Sequence, residues 1–328
     1  MAGLHEHQLV QSIIFNDEKL DLSFLSRANF IETISLDGPK LIIVFDDKES
    51  ILRDDLGITE KSVMTIVLAD PFNSDMLSWS ADWVVMTMPV DEGDNVTFNL
   101  MPKVLCDLKK PSPVGRCFVK QAVSNILQHL VPNMPHDVGV FPFKLDFHLL
   151  PAQRTSRLLR QIAKELGAVV FIRRGTLVFR TLAELQQRSA KYQYHYNDTR
   201  QKYQIAQFTL PNDESIVADL TQRCYIGWDD VKGIVKSTRH VSAPVEHTGA
   251  TSQAVLNNLT KIPITVLDAN MQGNGGLQAG DCIDIVWNRS DLEKPIDESL
   301  PVKVVLGTVA HSFAGKRYLN RIKGVLDK

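Results

Sequence analysis

Along the first hundred residues, hydrophobic and polar positions alternate in short runs. Glu32-Thr-Ile-Ser-Leu36, Leu41-Ile-Ile-Val-Phe45, Ser62-Val-Met-Thr-Ile-Val-Leu68, Asp82-Trp-Val-Val-Met-Thr-Met88 and Asn95-Val-Thr-Phe-Asn-Leu100 are rich in β-branched and aromatic residues. Asp37-Gly38-Pro39 and Asp91-Glu-Gly-Asp94 separate them as turns. Many short strands with frequent turns predict an antiparallel barrel or sandwich.

The pattern changes at Lys109-Lys-Pro-Ser-Pro-Val114, where two prolines stop the last strand. Beyond it Val119, Ala122, Val123, Ile126, Leu127, Leu130 and Val131 recur at i, i+3, i+4, which predicts an amphipathic helix over about 116–131 that Pro132 ends. Leu158, Leu159, Ile162, Ala163 and Leu166 predict a second helix over about 152–166, with Gly167 as its C-terminal cap. Ala168-Val-Val-Phe-Ile172 and Thr176-Leu-Val-Phe179 flank Arg173-Arg174-Gly175 and predict a hairpin over 168–180. Strands then return at Tyr192–Tyr196, Ile262–Leu267, Asp281–Trp287, Val302–Val309 and Tyr318–Val325, with turns at Gly273-Asn-Gly-Gly276 and Ala279-Gly-Asp281. The layout is a β segment over 1–103, an α/β module over 104–190 and a second β segment over 191–328.

Composition narrows the function. The 328 residues are 44% hydrophobic and 23% charged, as in ordinary globular proteins. With 36 basic and 38 acidic side chains the net charge is −2, which argues against broad electrostatic binding to nucleic acid or an anionic membrane. Cys106, Cys117, Cys224 and Cys282 are scattered without a CxxC pair, so reduced thiols are expected in place of a disulfide framework or a structural zinc site. No basic and apolar leader opens the sequence, and no run approaches the ~20 apolar residues that span a bilayer. The expectation is a chain made in the cytoplasm that inserts in no membrane.

Catalytic motifs are absent from the sequence: no GxSxG, HExxH or Walker pattern occurs. The glycines at 273–276 precede a strand, so a turn is expected there and not a phosphate loop, which needs a helix N-terminus. His5 and His7 form a weak metal pair, while Asp146 with His148 and His195 with Asp198 lack a third partner at defined spacing. Asp54-Asp55 and Asp213-Glu214 are expected in solvated loops, because adjacent carboxylates do not span a glycosidic bond. The basic run Arg154, Arg157, Arg160 and Lys164 suits a solvated face or a protein contact. Trp79 and Trp83 are expected in a core. Tyr192, Tyr194 and Tyr196 share one strand face and fit either a barrel core or a candidate interface strip, since tyrosine is favoured where its ring is buried and its hydroxyl stays wet.

Ile31–Phe45, Ile51-Leu-Arg-Asp-Asp-Leu-Gly57, Val67-Leu-Ala-Asp-Pro71 and Val85-Met-Thr-Met-Pro89 resemble the opening of central baseplate hub proteins from contractile-tailed phages and related tail-like machines. Gly307-Thr-Val-Ala-His-Ser-Phe313 and Tyr318-Leu-Asn-Arg-Ile-Lys-Gly324 fit the end of such a chain. The resemblance implies a mainly β fold with two tail-tube-like antiparallel β-barrels and a small helix-containing module. It also implies a homotrimer that joins a six-fold tail tube to a three-fold central spike within the virion baseplate, alongside other baseplate proteins. Two barrels taken three times give a six-position ring, while the trimer offers three-fold symmetry to the spike. Such a part has no catalytic residues, metal or cofactor. The alternatives are a tail-tip cell-wall hydrolase and a tail tube or connector protein, the latter needing only one barrel.

Overall fold

A computed structural model describes residues 9–327 apart from 74–76, 88–89, 93, 143, 251 and 290–294. His5 and His7 therefore lie outside the described residues. The protein is mainly β, and one continuous sheet carries both β segments.

In the first segment the strands Val10–Phe15, Val63–Ala69, Ser78–Val85, Asn95–Pro102, Lys40–Asp46 and Leu25–Thr33 are antiparallel neighbours in that order. Period-two patterning drives this arrangement. In Lys40–Asp46, Leu41, Ile43 and Phe45 point inward and pack with Phe30, Trp83, Val96 and Phe98. The sheet curls around that core, and the far edge of Leu25–Thr33 continues into the strand Lys303–Ala314.

The second segment contains a closed barrel. Its six strands run Lys303–Ala314, Cys282–Trp287, Tyr192–Tyr196, Gln204–Thr209, Pro263–Gln272, Arg317–Asp327 and back to Lys303–Ala314. The strand Tyr192–Tyr196 runs parallel to both of its neighbours, and the remaining pairs are antiparallel. Lys303–Ala314 belongs to both units: residues 303–305 pair with 282–284, and 308–314 pair with 27–33. Phe313 and Tyr318, from the hairpin it forms with Arg317–Asp327, lie in the core of the first segment.

The changeover along that strand falls at Gly307, where the ladder with Arg317–Asp327 shifts register and the Gly307 carbonyl accepts from the Ile34 amide at 3.0 Å. A Cβ at Gly307 would lie 2.5 Å from Val325 Cγ1. Gly307→Val therefore pushes against Val325 on the paired strand Arg317–Asp327, and we expect a loss of about 1–3 kcal/mol, read as a lower midpoint in urea unfolding.

Between the β segments lie the helices Lys103–Lys109, Val123–Leu130, Thr155–Glu165 and Leu182–Gln187, the antiparallel pair Arg116–Ala122 and Lys144–Leu149, and the hairpin Ala168–Arg173/Thr176–Thr181. Val123, Ile126, Leu127 and Leu130 pack against Leu158, Leu159, Ile162 and Phe179. The single helix expected over 116–131 is thus a strand followed by a helix. Val119, expected on the buried helical face, is 56% exposed on the strand. The reason is non-local: Arg116–Ala122 finds its partner in Lys144–Leu149, and that pairing overrides a helical period that happened to continue through it.

The segment between Gln204–Thr209 and Pro263–Gln272 also differs from an uninterrupted barrel. It holds the helix Asn212–Thr221, a three-stranded sheet (Cys224–Asp229, Gly233–Lys236 and Val245–His247) and the helix Gln253–Leu259. Asp213 and Glu214, expected in a loop, fall in the first turn of a helix. Asp54 and Asp55 likewise end a short π-helical turn, Ile51–Asp55, whose first amides donate to the Asp47 carboxylate.

Candidate functional site

The three parts of the chain meet at a buried polar junction. Glu32 lies on the inward period of Leu25–Thr33, two residues after Phe30, and is opposite Val309 in the ladder. His311 lies two residues further along its strand, opposite Phe30, with the two rings 5.7 Å apart and near parallel. Arg174 arrives from the middle module at the tip of the hairpin. Its turn has two residues, Arg174 and Gly175, with φ of 44° and 81°, the left-handed pair that a tight hairpin needs. Only one of them is glycine, and the backbone cost at Arg174 is offset by what its side chain reaches.

Arg174 Nη2 donates to Glu32 Oε2 at 3.2 Å and to the carbonyls of Gly275 and Leu277 at 3.0 and 2.9 Å. One guanidinium therefore clamps the first sheet and the turn after Pro263–Gln272 to the middle module. Asn320 Oδ1 accepts from the Asn274 amide, so its Nδ2 is the donor that faces His311 Nδ1, at 2.8 Å. His311 Nδ1 is then an acceptor, also 2.7 Å from the Tyr318 hydroxyl, and the imidazole proton sits on Nε2, 3.6 Å from Glu32 Oε2. Asp70 completes the junction from the first sheet by accepting from the Gly275 amide.

Electrostatics fix the charge states. Burial pushes the Glu32 carboxyl up, but the Arg174 charge together with His311 outweighs it and holds Glu32 below the usual carboxylate range. Burial, opposed only in part by Glu32, holds His311 below the usual imidazole range. The native pair is an ionised Glu32 beside a neutral His311. Each group binds fewer protons folded than unfolded as the pH falls, so both contribute stability that is whole above the ordinary histidine value of 6.5. That stability is lost as pH falls below each group's ordinary value and through its lowered folded-state value. We expect the melting temperature to drop on acidification below about pH 6.5, and His311→Gln to flatten the upper part of that slope. Melting curves from about pH 8 to about pH 4 check this.

A second seam lies alongside. Asp137 accepts from Arg180 Nε at 2.7 Å and from Arg188 at 2.8 Å, while Arg173 and Lys191 each reach Asp281 at 3.1 Å. Burial opposes ionisation of Asp137, but its hydrogen bonds from Arg180 and Arg188 hold its carboxyl below the usual range. Of these, the Arg173–Asp281 pair joins the middle module to the residue that precedes the barrel strand Cys282–Trp287, while Asp137 ties elements within the module.

The tyrosine strip faces the barrel interior. Tyr194 is 1% exposed and its hydroxyl accepts from Asn274 Nδ2 at 3.1 Å; Tyr192 and Tyr196 are half-buried against the same core, with Tyr196 edge-to-face against Phe208 and near Trp287. Tyr194 is therefore a residue of the barrel core. Trp83 is buried as expected, and Trp79 packs on it and on Phe30.

The remaining candidates stay apart. Cys117 Sγ lies 3.1 Å from His148 Nδ1 on an exposed strand pair, two residues 31 positions apart that no spacing in the sequence connects. Asp146, which would have to orient that imidazole in a triad, accepts from the Lys120 amide instead. Asp198 pairs with Arg200, which holds its carboxyl down to about 2. Among the described residues no group of three or more His, Cys, Asp or Glu side chains is placed to hold a metal ion. Nor is any described helix long and apolar enough to cross a membrane.

A barrel fused through one long strand to a second curled sheet, with a helical module between them, is a fold shared with solved tail proteins. The chain resembles the tail protein from Neisseria meningitidis, with a TM-score of 0.61 and 9% identity over 96% of this chain and 95% of that one. It resembles the 43 kDa tail protein of prophage MuSo2 from Shewanella oneidensis with a TM-score of 0.59 and 10% identity, over 95% and 97%. It also resembles an Escherichia coli type VI secretion component described as similar to the T4 bacteriophage tail proteins gp27 and gp5, with a TM-score of 0.50 and 10% identity over 92% and 73%. No protein-family model matches the sequence, and no curated protein matches it. At these identities the likeness is one of fold, and the mainly β, tail-protein-like fold expected from the sequence is what the structure has.

Proposed function

We propose that the chain is a structural tail component, the central hub of a contractile-tail baseplate or a related tail-like machine. The observation that carries this reading is the match in fold to two tail proteins over nearly the full length of both partners. The junction supports it. A part that transmits load between a tube and a spike needs its units fixed against each other, and Arg174, Glu32, Asp70 and Asp281 do that across three chain segments. On this reading residues 1–103 and 191–328 supply the two tube-like units, 104–190 the module between them, and the mature location is the virion.

Three copies, each contributing two β units, form a ring of pseudo-six-fold symmetry on which a hexameric tube stacks, with a three-fold face for the spike. The type VI likeness favours the spike as a partner, because the solved component is described as similar to both gp27 and gp5. The hub has no hydrolytic activity of its own. The test is the mass of the purified chain, alone and mixed with its cognate spike protein, by light scattering and electron microscopy. We expect a particle of three times the 36.8 kDa chain mass, with six lobes in projection once the spike is bound. A different symmetry in the spike complex overturns the hub.

A further inference from the structure

The basic run on the helix Thr155–Glu165 has no part in the reading above. Arg154, Arg157 and Arg160 line a cavity of about 520 Å³ that is also lined by Lys109 from the helix Lys103–Lys109 and by Asp37 from the turn after Leu25–Thr33. Asp37 is the one acid in that lining, and Arg160 already engages it at 2.7 Å. Among the described residues Arg154 and Arg157 have no ion-pair partner. Burial, reinforced by the charges of Arg160 and Lys40 and opposed by Asp37, holds the Lys109 ammonium below its usual range. In a chain of net charge −2, this is a local excess of positive charge.

The helix N-terminus adds to it. No side chain caps the first turn, whose N-cap residue is Arg154, and that turn contains no acidic residue. Helix N-termini ordinarily carry Ser, Thr, Asp or Asn caps and acidic side chains, because the dipole is positive there. Cations gathered at that end repel it unless an anion is bound between them. A second observation points the same way. Ser156 is 4% exposed and lines the cavity, and its hydroxyl, which makes no hydrogen bond to the described residues, is reached from the cavity.

We propose that this cavity binds a phosphate group, held by the N-terminal amides of Thr155–Glu165, the Ser156 hydroxyl and the guanidiniums of Arg154 and Arg157. Donors converge there from the helix end, a hydroxyl and two separate arginines. That arrangement suits the tetrahedral oxygens of a phosphate better than a planar carboxylate, which one arginine fork satisfies. The cavity exceeds a single phosphate in size, so the group has room for a substituent and is carried on a larger soluble molecule or on a phospholipid.

The probe is pyrophosphate, titrated calorimetrically into the full chain at constant ionic strength. We expect saturable binding at one site per chain. Arg154→Gln with Arg157→Gln weakens it at least tenfold, Ser156→Ala weakens it several-fold, and Arg157→Lys, which keeps the charge but loses the fork, falls between. Both arginines are exposed, so the unliganded melting temperature of the double variant stays at the wild-type value. Co-sedimentation with phosphatidylcholine vesicles containing phosphatidic acid, competed by pyrophosphate, assigns the group to a lipid headgroup. Pyrophosphate binding without co-sedimentation assigns it to a soluble phosphate compound. Absence of saturable pyrophosphate binding, unchanged affinity in the double variant, or tighter binding of a glutamate-rich peptide of equal charge overturns the site.

Discussion

Replacing Arg174 with methionine is expected to destabilise the protein by about 3–5 kcal/mol, among the largest effects of any single change outside the hydrophobic cores. The cost does not come from the ion pair as such, whose attraction is largely consumed by desolvating two charges. It comes from what the substitution leaves behind. The Glu32 carboxylate, with a side chain 1% exposed, would keep only a neutral imidazole at 3.6 Å, and the Gly275 and Leu277 carbonyls would lose their donor. Glu32 would respond by taking up a proton, so the variant should also lose the acid sensitivity that Glu32 gives the parent. Urea unfolding at about pH 7.5 measures the first effect, and the pH dependence of the midpoint measures the second. The double variant Glu32→Gln/Arg174→Met should recover part of the loss because no charge is then stranded. A double variant no more stable than Arg174→Met would show that the pair is not coupled.

The second large effect is in the middle module. Ile126 is fully buried among Leu127, Leu130, Leu158 and Ile162, so Ile126→Asp places a charge with no partner in that core. We expect a loss of more than about 3 kcal/mol, or insoluble protein. Val119→Asp is the matched control. The same chemistry on the exposed strand Arg116–Ala122 should change stability by less than about 0.5 kcal/mol. Equal melting temperatures for the two variants would contradict the boundary between strand and helix at Ala122.

That pair also marks how far the sequence could be read. Strands with one buried face were legible, because Leu41, Ile43 and Phe45 or Val96, Phe98 and Leu100 declare the pleat directly. So was the hairpin around Arg174 and Gly175, whose chemistry is local. The strand Arg116–Ala122 was not legible, since its identity depends on a partner some thirty residues later in the ladder of Cys117 with His148. The inserted segment after Thr209 was missed for a related reason. Its strands are short, and outward positions such as Trp228 and Ile234 are apolar, so neither face declares itself.

The junction was hidden more deeply. Glu32 and Arg174 are separated by 142 positions, and no spacing rule connects them. One sign was available: Glu32 continues the inward period of Ala28 and Phe30, and His311 that of Val309 and Phe313. A charged and a titratable residue on two core-facing stripes is the mark of a buried pair, but only the fold shows that the stripes are neighbours. The tyrosine strip was legible as a face, and closure of the barrel decided that the face looks inward.

The strand Lys303–Ala314 carries a further consequence, for the order in which the protein is made. Leu25–Thr33 emerges from the ribosome long before its partner at 308–314, and Phe313 and Tyr318 of the first core come later still. Until then the N-terminal sheet has an open edge and an unfilled core, the condition in which nascent chains pair wrongly with one another. Folding of the first hundred residues is therefore completed by strands of the second β segment, which are synthesised much later. Contacts of such long sequence separation make that final step slow relative to the helical module, whose packing is largely local. The topology thus makes the N-terminal sheet depend on the distant strand: a chain interrupted before residue 308 cannot finish even its first sheet.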